Sequence, residues 1–194
     1  MTIRNKNEVV YFSTMIICGL DECGRGPLAG PIMAAAVVLS QPLKNLKDSK
    51  QLSAKKRQYL YRRIIKTATA VKIESISVQQ INNRGIGWAN KEIFKRLIRK
   101  IEADKYIVDG NLKIPKAVSI IKADTKIPEV MAASIVAKVT RDKLMRELAK
   151  DYPRFGWHSN MGYGTKYHLS ALQEIGPTKH HRSAFVTTAL RNRG

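Results

Sequence analysis

Four carboxylates set the chemistry open to this chain. Asp21 and Glu22 are adjacent and follow the apolar run Met15-Ile16-Ile17-Cys18-Gly19-Leu20. Asp109 closes a second such run, Lys105-Tyr106-Ile107-Val108, and Asp124 lies just beyond a third, Ala117-Val118-Ser119-Ile120-Ile121. Short runs rich in Ile and Val read as buried strands, and carboxylates at strand ends are hard oxygen ligands for a divalent cation. Four such acids repel one another unless positive charge sits between them. Two Mg2+ about 4 Å apart supply that charge, and can activate a water and stabilise the leaving oxygen of an in-line phosphoryl displacement. Gly24-Arg25-Gly26-Pro27 follows directly, a turn that offers backbone amides and a guanidinium to a phosphate or a sugar hydroxyl. Metal ligands beside a reader of nucleic-acid backbone form the layout of a phosphodiesterase.

Taken singly, each acid also has a structural explanation. An Asp-Glu pair is often solvated surface, and Asp124, just ahead of a helix, suits a helix cap. Three acid-bearing strand ends in one sheet favour the metal reading, because open α/β sheets place their sites at the carboxyl ends of their strands.

The elements that must position these acids follow from the periodicity. Met15 to Asp21 reads as the first strand and Pro31 to Leu39 as a second, antiparallel to it. A polar loop, Leu46 to Ser53, precedes a helix from Ala54 to Thr67 capped by Ser53. Val71-Lys72-Ile73-Glu74-Ser75-Ile76 alternates apolar and polar, as a half-exposed strand does. Ser77 caps a short helical turn, and a helix runs from Gly87 to Glu102. The strands at Lys105–Gly110 and Ala117–Ile121 come next. A long helix opens at Pro128 and continues to about Lys150. Thr165 caps a short helix to Ile175 that Gly176-Pro177 stops. Strands first and then strands alternating with helices give an α/β domain with a mixed sheet.

Composition narrows the partner. The chain has 194 residues, 44% of them hydrophobic, with 35 Lys+Arg against 15 Asp+Glu and a formal net charge of +20. That suits one domain with a substantial core and a polyanionic partner, although charge alone does not separate an enzyme from a nucleic-acid binder. Runs such as Lys55-Lys56-Arg57 and Arg62-Arg63 read as solvated helix faces adding a general attractive field. Cys18 and Cys23 make no disulfide framework, which fits a reducing cytoplasm. No signal-peptide core stands in residues 1–14 and no apolar run reaches the ~20 residues of a membrane span, so no membrane partner is expected.

The run Gly19-Leu20-Asp21-Glu22-Cys23-Gly24-Arg25-Gly26-Pro27-Leu28-Ala29-Gly30-Pro31 closely resembles the signature of bacterial ribonuclease HII. The resemblance continues at Asp48-Ser49-Lys50-Gln51-Leu52-Ser53, at Val108-Asp109-Gly110, and from Lys122-Ala123-Asp124 through Asp142. Gly162-Tyr163-Gly164-Thr165 and Gly176 to Arg182 complete it, so the blocks span most of the chain in order. It implies a ribonuclease H-like fold: a five-stranded mixed sheet flanked by helices, with residues 1–150 as catalytic domain and 151–194 as a C-terminal helical segment packed on it. It implies endonucleolytic hydrolysis of RNA in RNA–DNA hybrids and cleavage 5′ of single ribonucleotides embedded in duplex DNA, leaving 3′-hydroxyl and 5′-phosphate ends.

The family's metal-binding catalytic acids map onto Asp21, Glu22, Asp109 and Asp124, with two Mg2+ or Mn2+ ions per site. The ribose reader maps onto Gly24, Arg25 and Gly26, since the 2′-hydroxyl is what distinguishes RNA from DNA. Tyr163 maps onto a tyrosine that packs on the sugar of the next nucleotide. Lys50 and Lys138 are candidate phosphate contacts. His180, His181 and Arg182 are either structural or close to substrate. The resemblance points to a monomer and leaves contact with a sliding clamp open. Two positions depart from the family: Met161 stands where a Lys is usual, and Ala184 where a Ser is common before Phe185. The alternatives from other classes are a non-catalytic basic nucleic-acid-binding protein on a nuclease fold, or another two-metal enzyme such as a junction resolvase. The intact acids disfavour the first, and the ribose-reading turn disfavours the second.

Overall fold

The structure, a computed structural model, describes residues 15–41, 43, 46 and 49–191, and the side chain of Lys50 lies outside the described set. Five strands form one sheet: β1 (Ile17–Cys23), β2 (Ile32–Leu39), β3 (Ala68–Ile76), β4 (Lys105–Asp109) and β5 (Ala117–Ile120). Their order is β3-β2-β1-β4-β5. β1 and β2 are antiparallel, as are β2 and β3, while β1, β4 and β5 are mutually parallel. The sheet is therefore mixed, and the carboxyl ends of its three parallel strands share one edge. The helices are α1 (Ala54–Thr67), α2 (Val78–Arg84), α3 (Ile86–Ile98), α4 (Pro128–Asp151), α5 (Trp157–Asn160), α6 (Lys166–Ile175) and α7 (Ser183–Arg191). Among the described residues, no helix is long and apolar enough to cross a membrane.

The local signals account for most boundaries. Ser53 caps α1 by accepting from the Lys56 amide, and Ser77 with Gln80 forms a reciprocal capping box on α2. Thr165 accepts from the His168 amide at the start of α6, and Pro128 opens α4. Three expectations needed correction. β1 runs past Asp21 to Cys23, because Asp21 and Glu22 keep register with Ala35 and Ala34 of β2. β3 begins at Ala68, directly after α1, where it still pairs with Leu39. α3 ends at Ile98 rather than near Glu102. Ile101, beyond its end, is buried by tertiary packing and its carbonyl accepts from the Tyr106 hydroxyl.

Strand alternation sorts the side chains between two layers. Cys18 and Leu20 of β1 face α3, packing with Ile93, Phe94 and Leu97. Gly19 and Asp21 point the other way, towards α4. The α4 backbone comes so near that a Cβ at Gly19 would lie 2.2 Å from the Glu129 carbonyl carbon and 2.3 Å from the Val130 nitrogen. On that face Ala35 and Val37 of β2 pack with Leu60 and Ile64 of α1 and with the Ala132–Ala137 stretch of α4. A separate apolar cluster covers the far half of α4. It joins Leu28 and Ala29, from the turn after β1, to Met145, Phe155, Trp157, Leu172 and Val186.

Gly19 thus sets the spacing of the central strand and the long helix. Gly19→Ala is expected to destabilise the fold by about 3 kcal/mol, the upper part of the usual overpacking range. In a thermal melt that corresponds to a Tm lower by roughly 6–12 °C. An unchanged melting curve would show that the helix can withdraw at little cost.

Candidate active site

An open cleft of about 700 Å3 lies at the carboxyl edge of the parallel strands. Asp21, Glu22 and Asp109 line it, together with Gly24, Arg25, Gly26, Lys138 and Tyr163. Sequence elements more than 140 residues apart are thereby gathered into one place, as Asp21 and Tyr163 illustrate. Asp124 does not line the cleft. It is buried in a single 3-10 turn, Ala123–Thr125, and it is not the cap of α4, a position taken by Ile127. Asp109 is turned towards that same 3-10 turn, its Oδ1 accepting from the Ala123 amide at 2.7 Å.

Asp21 carries the strongest electrostatic signal. It is only 6% exposed. Burial pushes its carboxyl well above the ordinary range, and the nearby charges of Glu22 and Asp109 push the same way. A hydrogen bond from Ser134 and another from the Glu22 amide, at 2.8 Å, oppose that rise. Ser134 has one proton to give. With that proton on Asp21, the 2.9 Å contact between the Ser134 and Ser49 hydroxyls is donated by Ser49. Neither serine was singled out from the sequence. The available signal was a lone hydroxyl in the otherwise apolar stretch Ala132-Ala133-Ser134-Ile135-Val136-Ala137.

The donor set is chemically suited to a divalent cation. It consists of carboxylates clustered in an open, water-accessible cleft, two of which raise the proton affinity of Asp21, and such a cleft is where Mg2+-like ions keep some of their waters. Among the described residues, no group of three or more His, Cys, Asp or Glu side chains is drawn together tightly enough to enclose an ion. The cleft thus offers an open set of ligands and no closed cage. Arg25 Nη1 lies 3.6 Å from Glu22 Oε1, and its side chain is 62% exposed. Lys138 is held by Asp142, Nζ to Oδ1 at 2.7 Å, so a phosphate there would share it with that carboxylate. Burial raises the Cys23 thiol, which removes it as a nucleophile.

The aromatic side of the cleft rests on a buried chain of rings. Tyr163 is 44% exposed, and a Cβ at Gly26 would lie 3.8 Å from its ring. The Tyr163 carbonyl lies 2.9 Å from His168 Nδ1, and since a carbonyl only accepts, that nitrogen carries the proton. His168 Nε2 is therefore bare. It accepts from Trp157 Nε1 at 3.1 Å and from His181 Nε2 at 3.1 Å. His181 Nδ1 in turn accepts from the Thr178 amide at 2.8 Å. Burial, and then the neighbouring His168, bring His181 down to about 4. It is a neutral structural residue away from the cleft, which resolves the choice left open by the sequence.

Arg182 is structural in the same sense and fully buried. Its guanidinium donates to the carbonyls of Gly24, Arg25 and Gly30 at 2.7 to 2.9 Å. Burial, with Arg141 alongside, lowers it to about 9, which leaves it charged at neutral pH. Arg141, also buried, donates to Pro31, Met161 and Ala29. The departure at Met161 is explained locally: its backbone is left-handed (φ 50°), its carbonyl serves Arg141, and its side chain packs in the C-terminal apolar cluster. Ala184 is exposed on α7, where loss of a hydroxyl leaves no buried gap.

A family model described as Ribonuclease HII matches residues 18–188. The chain belongs to the ribonuclease HII family. A ribonuclease HII from Burkholderia mallei (strain SAVP1) is 44% identical over 178 residues, covering 88% of this chain and 83% of that protein. Among solved structures, the RNase HII in a complex with PCNA from Archaeoglobus fulgidus superposes with a TM-score of 0.77. It is 27% identical, with 87% of this chain and 94% of that one covered. The ribonuclease H2 from Pyrococcus horikoshii OT3 gives a TM-score of 0.76 at 25% identity, covering 92% and 98%. The five-stranded mixed sheet with flanking helices is thus a ribonuclease H fold. As a ribonuclease HII, the chain is a metal-dependent endoribonuclease, and RNA in RNA–DNA hybrids is the substrate its family supports.

The environment of Asp21 predicts a stability effect with a definite sign. A carboxyl raised in the folded state binds its proton more tightly than in the unfolded chain. Metal-free stability therefore falls as pH rises from the ordinary carboxylate range towards the raised value. Asp21→Asn, neutral at every pH, is expected to raise the Tm in chelator at neutral pH, with the gain shrinking on acidification. A Tm lowered equally at pH 4 and pH 7 would contradict the repulsion described for this cleft.

Proposed function

We propose that this ribonuclease HII cleaves both RNA–DNA hybrids and DNA duplexes carrying single ribonucleotides, on the 5′ side of the ribonucleotide, leaving 3′-hydroxyl and 5′-phosphate ends. The observation that carries this reading is the meeting, in one cleft, of the acid end of β1, the Gly24-Arg25-Gly26 turn and Tyr163. Acids alone would suit any phosphodiesterase. A turn able to read a ribose hydroxyl beside them selects RNA.

In this reading Asp21, Glu22 and Asp109 at the cleft, with Asp124 from the 3-10 turn that Asp109 faces, would hold two divalent ions, Mg2+ or Mn2+. Bound there, the ions would supply the Lewis acidity that activates water and stabilises the leaving oxygen of an in-line displacement. Asp21, on the central strand, would be a ligand to both ions, and Ser134 holds its carboxylate through a hydrogen bond. The turn at Gly24–Gly26 lets backbone approach the ribose closely. The Tyr163 ring packs on the sugar of the following nucleotide, where an added 2′-hydroxyl fits poorly, so an RNA-to-DNA junction is favoured. Lys138, and Lys50 from the loop before α1, hold flanking phosphates. Residues 1–150 act as the catalytic domain, and the helical segment 151–194, packed on it, lends Tyr163 and its supports. Such an enzyme, working as a monomer, suits ribonucleotide excision repair.

The deciding assay uses an end-labelled DNA duplex with one ribonucleotide, incubated with wild type and Asp21→Asn in Mg2+, Mn2+ or chelator. A single metal-dependent cut 5′ of the ribonucleotide, reduced to background by Asp21→Asn, is the expected result. Binding without a cut in either metal would overturn the proposal. Tyr163→Ala is expected to slow cleavage at the RNA–DNA junction about 10- to 100-fold, the worth of one stacking contact. Cleavage inside a long hybrid should suffer less, and equal losses on both substrates would refute the role given to the ring.

A further inference from the structure

The two arginines beneath the reader turn do more than fill space. Arg182 is fully buried and does not line the cleft, whereas Gly24, Arg25 and Gly26 do. Its Nη2 donates to the Gly24 carbonyl at 2.7 Å and its Nη1 to the Arg25 carbonyl at 2.9 Å. Both peptides are trans, since no cis bond occurs among the described residues. In a trans peptide the carbonyl of one residue and the amide of the next point in opposite directions. Two carbonyls drawn inwards to the guanidinium therefore turn the Arg25 and Gly26 amides outwards, to the cleft side. Among the described residues, neither amide is taken by an intramolecular acceptor.

The rest of the loop is pinned from the same side. Arg182 also donates to the Gly30 carbonyl from both Nε and Nη2, and its own amide donates to the Leu28 carbonyl at 2.8 Å. Arg141 backs the turn from below. A Cβ at Gly24 would stand 2.2 Å from Arg141 Nε, so the chain lies directly on that side chain. Arg141 ties the same loop, through Ala29 and Pro31, to the Met161 carbonyl two residues before Tyr163. A guanidinium presents five donors in a fixed plane, and a lysine in its place presents a single flexible ammonium.

We infer that Arg182 is a positioning residue for ribose recognition: by holding the Gly24 and Arg25 carbonyls inwards, it presents the Arg25 and Gly26 amides as paired donors to the 2′-hydroxyl and its neighbouring phosphate. The inference rests on the reading of this turn as the ribose reader. It assigns the selectivity for RNA to a residue that never touches substrate. A conserved charge at position 182 would not suffice; the fork of donors is what orients the two peptides.

The test compares wild type, Arg182→Lys and a destabilised control, Ile93→Ala, in the core beside α3. Fluorescence anisotropy in chelator, where no cleavage takes place, measures affinity for a duplex with one ribonucleotide and for the same duplex made wholly of DNA. Wild type is expected to favour the ribonucleotide. Arg182→Lys is expected to lose that preference about tenfold, the scale of a lost hydrogen bond or two, with a smaller loss on the all-DNA duplex, which keeps the phosphate and lacks the hydroxyl. Ile93→Ala is expected to keep the preference even if its Tm is as low. An Arg182→Lys chain that retains the preference, or an Ile93→Ala chain that loses it equally, overturns the inference. So does a wild type that cuts at the ribonucleotide yet binds the two duplexes alike. A wild type that neither cuts nor discriminates overturns the proposed function instead. If Arg182→Lys does not fold, amide NMR of wild type decides. Larger shifts of the Arg25 and Gly26 amides with the ribonucleotide duplex than with all-DNA duplex support the inference, and equal shifts refute it.

Discussion

Contact between the α4 backbone and the bare Cα of Gly19 is the constraint on which the rest of the structure depends. Because side chains alternate along β1, the face that carries Gly19 also carries Asp21. Bringing the helix against the glycine places Ser134 beside the carboxylate one step further along. The same helix then runs on to Lys138 at the cleft, Arg141 beneath the turn, and Met145 in the C-terminal cluster. One close approach thus aligns the acid, its hydroxyl support and the scaffold of the reader on a single rigid rod.

The cleft shows two ways of handling like charge. At the acids, Asp21, Glu22 and Asp109 are left in mutual repulsion, which makes the site receptive to cations. At the arginines, two buried guanidinium groups are satisfied almost entirely by backbone carbonyls. Burying a charge without such partners is costly, and here the partners are the peptide groups of the turn that must be held still. The desolvation cost and the rigidity of the Gly24–Gly26 turn are two aspects of one arrangement.

Much of this was legible in the sequence, for identifiable reasons. The end of β4 at Asp109 was visible because its apolar run stops where the acid begins, whereas β1 pairs on past Asp21 to Cys23. The caps at Ser53, Ser77 and Thr165 were visible because capping is local chemistry. What could not be read was anything set by distant packing. The buried Ile101 beyond the end of α3 resembled one more helical turn. The alternative of Asp124 as a cap of α4 fails because a 3-10 turn intervenes. That Met161 packs in the C-terminal apolar cluster, on a left-handed backbone, was likewise not readable from its neighbours in sequence. Arg182 looked like one more cation in a chain rich in them; only the carbonyls converging on it, from residues more than 150 positions away, distinguish it.

That separation also orders events during synthesis. β1 and its neighbours, with the first two acids, can pair once α4 has emerged from the ribosome. The turn beside them cannot take its final shape until residue 182 arrives. Contacts of such long sequence separation form late, because the loop they close must be ordered first. A nascent chain would therefore bring the acid end of β1 together before the turn beside it is held in place.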